Sequence, residues 1–541
     1  MKRIAFPLAC VLVSAACVPS AQPGSCFVDD NCGLGLACID GTCQMPGGSS
    51  TGDDGIDIPD GLKLDVGGAV AEIPGTCQDA LAIRTNAGCE FWAVDLPNGW
   101  LASEPFSYDI AANQQFAVVV ANVSDAQAAT VSIYSSNGAT ALETATIAPL
   151  HTHTFRPPMQ NVDPTRNGGA DAYRISSDVP ITAYQFQPLD NLTPVYSNDA
   201  SSLLPAHVLE ADYLAVTSDA VRLSMYPAGS FETQDYDAGA FVSAVATVDG
   251  THVSFYPTAE LADGAWDGAV LNRGQVFTIL SKPGSATGNP YGNLSGTRVI
   301  ADHPIAVFSG NVSASEPATA TKCCLDHVEH QMLPLVAWGA SYIAPPPPLP
   351  ADPRQDAPAT YRITAAFDGT QLQYGGSKPA GAPDSLDANE TAAFASAAPL
   401  VVSSDPEHPF AVTQFLFNGL ENPTPSNSGD PSMIAQPSTS QLQTRYVFLS
   451  PAGYAQSTVT IFAPQGANVT LDGQSVTQWQ QLPPLAGESW SYARVPIDPG
   501  AHILISDKNA GIDVYGFDAN VSYAYAGGSA VERISEAPPI P

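Results

Sequence analysis

Charge is scarce in this sequence, and positive charge is scarcer still. Asp, Glu, Lys and Arg make up 13% of 541 residues, and 19 Lys and Arg face 53 Asp and Glu, for a net charge of −34. A surface this acidic repels phosphate backbones and anionic headgroups, so nucleic acid is excluded as a partner. Such acidity serves solubility outside a cell or, alternatively, Ca²⁺ binding. Long apolar runs are missing too. Beyond the first twenty residues none approaches the roughly 18–20 residues that span a bilayer, so any hold on a membrane lies at the N-terminus. HExxH, a P-loop and GxGxxG before a helix do not occur, and GxSxG occurs only as Gly48-Ser49-Ser50-Thr51-Gly52, inside a Gly- and Ser-rich stretch. The enzyme class left open is a glycan hydrolase, whose two carboxylates carry no local signature. Amphipathic helices longer than two or three turns are absent as well. What is present is a hydrophobic fraction of 44%, normal for a globular chain long enough to hold several domains.

Lys2-Arg3 followed by the apolar stretch 4–16 reads as a signal peptide, 1–16. Its removal takes away two bases and no acids, leaving 17 − 53 = −36. The stretch Ser14-Ala15-Ala16-Cys17 resembles a bacterial lipobox, which implies acylation of Cys17 as the first mature residue and a lipidated tether over 17–25. Val18, in place of the Asp that retains lipoproteins at the inner membrane, points to the outer membrane with the protein facing the cell exterior. Plain secretion with cleavage near Ala21 is the simpler alternative. Acyl chains contribute about 0.8 kcal/mol per buried CH₂, so this lipid would anchor the protein firmly, and with no other apolar run it would be the chain's sole membrane contact.

Ten cysteines become eight once Cys10 leaves and Cys17 is acylated, an even number that suits an oxidising compartment. Cys26, Cys32, Cys38 and Cys43 lie in a Gly- and Asp-rich module, 26–43, too small to build a core and so expected to be held by disulfides. Zinc is the rival, but the spacing lacks CxxC pairs. A Gly-, Ser-, Asp- and Pro-rich linker follows over 44–76. Cys77, Cys89, Cys323 and Cys324 allow three pairings. Either Cys77 bonds Cys89 beside a vicinal 323/324 pair, or both later cysteines crosslink to the earlier two.

From residue 77 onward, Thr, Val, Tyr and Phe alternate with polar residues between Gly, Pro, Asn and Asp punctuation, which predicts an all-β fold. Two signatures recur four times in the same order. One is a strand–turn–strand unit with turn glycines Gly138, Gly250, Gly369 and Gly466. The other is a strand ending in Ser/Ala-Asp before a second apolar strand, with Asp178, Asp302, Asp405 and Asp507 at intervals of 124, 103 and 102. The spacing predicts tandem β-sandwich-like repeats of about 100 residues, bounded at 77–200, 201–330, 331–430 and 431–541. A β-propeller with two blades per repeat is the alternative.

Short stretches in order along this region carry a resemblance. They are Gly88-Cys89-Glu90-Phe91-Trp92, Leu203-Leu204-Pro205, Asp249-Gly250-Thr251, Leu294-Ser295-Gly296-Thr297-Arg298 and Pro304-Ile305-Ala306-Val307-Phe308-Ser309-Gly310. Asp326-His327 with Gln331, Pro334, Trp338 and Gly339 follow, then Gly429-Asp430-Pro431-Ser432-Met433, Tyr515-Gly516-Phe517 and Ser522-Tyr523. Together they resemble the N-terminal domain family of the mucus IgG-Fc-binding protein, which also occurs in bacterial surface proteins. The resemblance implies extracellular, non-catalytic binding; it carries over no ligand-binding residues and does not imply that IgG is bound.

Asp326-His327-x-Glu329-His330 is the densest set of candidate metal ligands. On a helical turn His327 and His330 would share a face, but no third ligand is identifiable and a polar loop between repeats is the simpler reading. His151 and His153 would share one side of a strand, again without a partner. No metal and no cofactor is therefore expected. Trp92, Trp100, Trp266, Trp338, Trp479 and Trp490 would stack on sugars if exposed, though sandwich core is the simpler place for most of them. The sequence thus describes a lipid-anchored surface protein binding an extracellular protein or glycan. A structural outer-membrane protein without a soluble ligand and a glycan hydrolase are the alternatives.

Overall fold

The computed structural model describes residues 37–39, 42–44 and 73–539, apart from 100, 104–105, 109–110, 137, 161, 163–169, 190–196, 226–233, 263, 265–267, 283–291 and 321–324. The chain divides into two units, residues 1–65 and 66–541. In the first, Ala37–Ile39 and Thr42–Gln44 form an antiparallel hairpin with Cys38 opposite Cys43 in its register. Cys17, Cys26, Cys32, Cys323, Cys324, Trp100 and Trp266 lie outside the described residues.

Four long strands organise the second unit, or in one repeat two short strands in sequence: β1 (Tyr173–Gln187), then, with their neighbours, β2 (Asp199–Ser202), β3 (Arg298–Ala314), β4 (Asp326–Gln331), β5 (Leu400–Ser403), β6 (Phe410–Leu416), β7 (Met433–Gln436), β8 (Gly500–Asp518) and β9 (Val521–Ala526). The first half of β1 pairs with Gly88–Ala93 and Ala129–Ser135, and its second half with Ala117–Asn122 and β2. One strand thereby serves both sheets of a sandwich. β3 repeats the plan, pairing first with Glu210–Leu214 and Thr251–Tyr256, then with Ala240–Ala246 and β4. β8 does the same with Gln443–Ser450 and Val469–Leu471, then Gln456–Pro464 and β9. In the third repeat β5 and β6 divide the task, and β6 pairs with Ala359–Ala365 and β7.

The recurrent aspartates sit where the long strand passes between sheets, and the chemistry explains the choice. A strand changing sheets leaves a neighbouring N–H without its ladder partner. Asp178 Oδ1 accepts from Thr130 N at 2.6 Å, Asp302 Oδ1 from His252 N at 2.9 Å and Asp507 Oδ1 from Asn468 N at 2.8 Å. Asp405 instead accepts from Glu407 N in its own loop, at 2.9 Å, where the strand is interrupted. Gly250, Gly369 and Gly466 occupy positive φ (75°, 68° and 77°) in equivalent hairpin turns. Gly138 does not share that role. It follows Ala129–Ser135, one hairpin later than its supposed counterparts, because adjacent hairpins of alternating Thr, Val and Ile look alike in sequence.

A second device recurs in three repeats. Tyr213, Tyr342 and Tyr446 each accept from the backbone N–H three residues earlier. Each donates to a carbonyl of the crossing strand: Ile305 O at 2.8 Å, Phe410 O at 2.5 Å and Ala510 O at 2.5 Å. The first repeat, with Phe91 and Trp92 filling its core, is tied instead by the disulfide between Cys77 and Cys89, whose Cα atoms are 5.7 Å apart. That bond anchors the short helix Cys77–Ala82, capped by Thr76 Oγ1 accepting from Asp79 N. Trp92, Trp338 and Trp490 are core residues, and Trp479 is half-buried.

The sandwiches close into a ring. Phe91 and Trp92 of the first repeat share a core with Phe241 and Phe308 of the second. Val307 and Val328 of the second share one with Phe415 and Met433 of the third. The third meets the fourth through Ile343 with Phe462 and through Leu416 with Tyr515. Tyr523 and Tyr525 of the fourth return to Val119, Tyr184 and Phe186 of the first. The C-terminal segment straps this ring: Ala530 N donates to Gln441 O, Val531 N to Arg84 O and Ile534 N to Val336 O. Arg298, paired with Asp212, holds the carbonyls of Pro538 and Pro539.

Candidate functional site: the polar axis of the ring

The short strands β2, β4, β7 and β9 stand side by side around the centre of the ring, one from each repeat. Close approach is permitted by residues such as Gly310 on β3, where a Cβ would lie 1.8 Å from Val328 O of β4. Side chains, not backbone ladders, join the first two. Ser197 Oγ, Asp199 Oδ2 and Ser201 Oγ, two residues apart and so on one face, accept from the N–H groups of His327, Glu329 and Gln331 at 3.1, 3.1 and 2.8 Å.

Asp199 is the hub. Its carboxylate accepts from Ala200 N (2.9 Å), Glu329 N (3.1 Å), Met433 N (3.1 Å) and Ala524 N (3.4 Å), one peptide group from each of the four repeats. Burial pushes its pKa well above the usual carboxylate range, Glu329 adds to the rise, and the N–H donors oppose both. Next to it Asp326 is sealed from solvent, and no hydrogen bond of normal length reaches either of its oxygens. Burial first, then the nearby Asp430 and Asp199, push its pKa well above the usual carboxylate range, and burial does the same to Asp430. Asp430 N donates to Ser522 Oγ at 2.9 Å, which ties the third repeat to the fourth.

A second buried network joins the first repeat to β4. Gln185 Nε2 donates to both oxygens of Glu329 at 3.2 Å, and Glu329 Oε2 lies 3.3 Å from His327 Nε2. Burial raises the Glu329 pKa well above normal and lowers that of His327 to about 3. Both shifts disfavour the charged forms of this pair. Farther along, Asp513 of β8 accepts from Gln436 Nε2 of β7 at 3.1 Å, and burial raises its carboxyl to about 7.

The expected helical turn or loop at 326–330 is thus an axial strand. Alternation places His327 with Glu329 on one face and His330 on the other, so the two imidazoles cannot share a ligand. Among the described residues no three His, Cys, Asp or Glu side chains converge to hold a metal ion. His153 pairs with Glu143 at 2.8 Å while His151 contacts Pro149 O at 2.8 Å, so these rings are engaged separately. Sequence reasoning missed Asp199, Gln185, Gln436 and Asp513. For Gln185, Gln436 and Asp513 the one signal is a polar residue among apolar neighbours, as in Tyr184-Gln185-Phe186, and Asp199 in Asp199-Ala200-Ser201-Ser202 has none.

The stretches that carry the family resemblance meet on this axis: Asp326-His327 and Gln331 in β4, Asp430 to Met433 at β7, Tyr515 to Phe517 in β8 and Ser522-Tyr523 in β9. Comparison with solved structures yields an anti-sigma factor domain-containing protein from Clostridium clariflavum. It is 9% identical and covers 74% of this chain and 98% of its own, with a TM-score of 0.11, too low to bear on the fold. The IgGFc-binding protein of Homo sapiens is 26% identical over 245 residues, which is 43% of this chain and 4% of that much longer protein. The profile of the family described as IgGFc binding protein matches residues 199–516, more than half of the sequence and most of the ring, and the chain belongs to that family.

Proposed function

We propose that the chain is a non-catalytic binding protein of the cell exterior, held at the outer membrane by lipid on Cys17, that recognises an extracellular protein or glycan. Family membership carries this reading. The immunoglobulin Fc region in the human relative's name is one candidate ligand. The burial of the axial acids, whose pKa values it raises, supports a binding role. Asp199, Asp326, Glu329, Asp430 and Asp513 are each at most 2% exposed, and Asp199, Glu329 and Asp513 take hydrogen bonds that join repeats. Two measurements test the proposal. Replacing Cys17 by Ala releases the protein from the membrane fraction if the lipid holds it, and leaves fractionation unchanged if it does not. The full chain is then screened against a glycan array and extracellular proteins including IgG Fc, with and without Ca²⁺. A saturable partner supports the assignment. Silence across the panel, or turnover of a glycan, overturns it.

A further inference from the structure

The C-terminal strap is held in two different ways along its length. Up to Val531 it belongs to the core that holds Phe91 and Trp92. Val531 N donates to Arg84 O at 2.8 Å, and Val531 O accepts from Arg84 Nε at 2.9 Å. From Glu532 to Pro539 the chain has no regular secondary structure, and only Pro538 among these residues is buried.

From Arg533 onward the strap grips not the fourth repeat, from which it emerges, but the second and third. Arg533 makes a two-pronged pair with Glu210, at 2.7 and 3.0 Å. Ile534 N and Ser535 N both donate to Val336 O, at 2.8 and 3.1 Å, and Ser535 Oγ donates to Leu335 O at 2.8 Å. Ala537 packs against the cluster that contains Leu335 and Trp338. Arg298, at the start of β3, closes the series. Asp212 orients its guanidinium by accepting from Nε at 3.0 Å and Nη2 at 2.7 Å. Nη2 and Nη1 then donate to Pro538 O at 2.5 Å and Pro539 O at 2.7 Å.

This is a ligand's set of contacts, and it selects a chemistry. A guanidinium donates and never accepts, whereas proline has a carbonyl and no N–H. Two consecutive prolines therefore offer Arg298 acceptors alone. Their fixed φ holds the segment extended before it docks, which lowers the entropy lost on binding. The first proline stands five residues after the cation that meets Glu210, so the groove reads a register as well as a composition. A surface segment held by a few polar contacts also opens at far lower cost than the ring unfolds.

We propose that the groove formed by Glu210, Arg298, Leu335, Val336 and Trp338 is a binding site for an extended peptide of the pattern Arg-x4-Pro-Pro. The chain's own residues 532–539 fill it until such a peptide from another protein replaces them. A strap tethered this closely acts at an effective concentration on the order of millimolar or above, so a competing peptide binds well only once the strap is loosened. The site goes beyond the role proposed above, which is tied to no particular face of the ring.

The test is fluorescence anisotropy with the full chain in detergent and a labelled, end-capped peptide of residues 532–539. In the full-chain variant Arg533→Glu with Ile534→Pro, the strap sets a like charge against Glu210 and lacks the N–H that meets Val336 O. That variant is expected to bind the wild-type peptide at least tenfold tighter than the unmodified chain does. A peptide of residues 532–537, which lacks both prolines, should bind the variant at least tenfold more weakly than 532–539. Hydrogen exchange of the unmodified chain gives a second readout. The N–H groups of Ile534 and Ser535 should exchange at least a hundredfold faster than that of Val531, although all three are bonded to backbone carbonyls. Equal binding by variant and unmodified chain, no binding at millimolar peptide, indifference to the prolines, or exchange at Ile534 as slow as at Val531 would each overturn the proposal. None of these results would touch the wider binding role, which stands or falls with the screen of extracellular partners.

Discussion

Asp513 offers a sharp test of the polar axis, because its charge and its fold energy are linked. The carboxyl is fully buried, with Gln436 Nε2 as its hydrogen-bond donor, and burial raises its pKa from 3.8 to about 7. A raised acid pKa means that the native state binds the proton more tightly than the unfolded chain does. Its stabilising contribution is complete below pH 3.8, declines as pH rises, and is gone above about 7, where a buried anion remains. At about 1.4 kcal/mol per tenfold change in proton affinity, the span from 3.8 to about 7 is worth roughly 4 kcal/mol. Asp513→Asn keeps an acceptor for Gln436 and removes the proton equilibrium. The variant should therefore match wild type in urea denaturation near pH 4 and gain stability over it progressively, by roughly 4 kcal/mol at pH 8. Parallel pH dependence of the two proteins, with no gain at pH 8, would falsify the link between this carboxyl and the alkaline loss of stability.

Further outcomes can be measured on the same footing. Asp199→Ala strips acceptors from peptide groups of four repeats, and at about 1–3 kcal/mol per buried donor left unsatisfied it should cost at least about 3 kcal/mol in urea denaturation; a loss below 1 kcal/mol would remove Asp199 from its place as hub. Gly250→Ala meets no neighbouring atom, so its whole penalty is the positive φ of 75°, about 1–2 kcal/mol. Tyr446→Phe loses the hydroxyl bonded to Gln443 N and Ala510 O, and a loss of about 1–3 kcal/mol is expected, with Tyr213→Phe behaving alike if the repeats share the device. Replacing Cys89 by Ser opens the link to Cys77 across a sequence separation of 12; a lowering of about 2–3 kcal/mol is expected, read against unchanged Asp513 titration.

Much of the sandwich was legible because its determinants are local. Asp-Gly turns and alternating Thr, Val and Tyr name hairpins within ten residues, and the aspartates recur where the chain passes from sheet to sheet, as one strand in three repeats and through a loop in the third. Gly138 went astray for the same reason: neighbouring hairpins carry the same local pattern, and nothing local says which of them is second. The cluster at 326–330 was ambiguous because five residues are too few to separate a period of 2 from one of 3.6. The axis was illegible for a different reason. Asp199 finds its donors at 329, 433 and 524, separations that no window on the sequence covers. Gln185 and Asp513 do interrupt apolar runs in strands buried on both faces, but nothing local says which distant strand each one meets.

The closure of the ring also governs how such a protein changes over generations. In an open string each repeat meets only its neighbours, so units can be gained or lost by recombination while the remainder stays folded. Here the fourth repeat packs on the first, and one carboxylate takes a hydrogen bond from every member. Deleting a repeat would leave two mismatched faces and a carboxylate short of a donor, and adding one would give it a strand it cannot reach. Copy number is thus frozen at four, and diversity has to come from the outer hairpins.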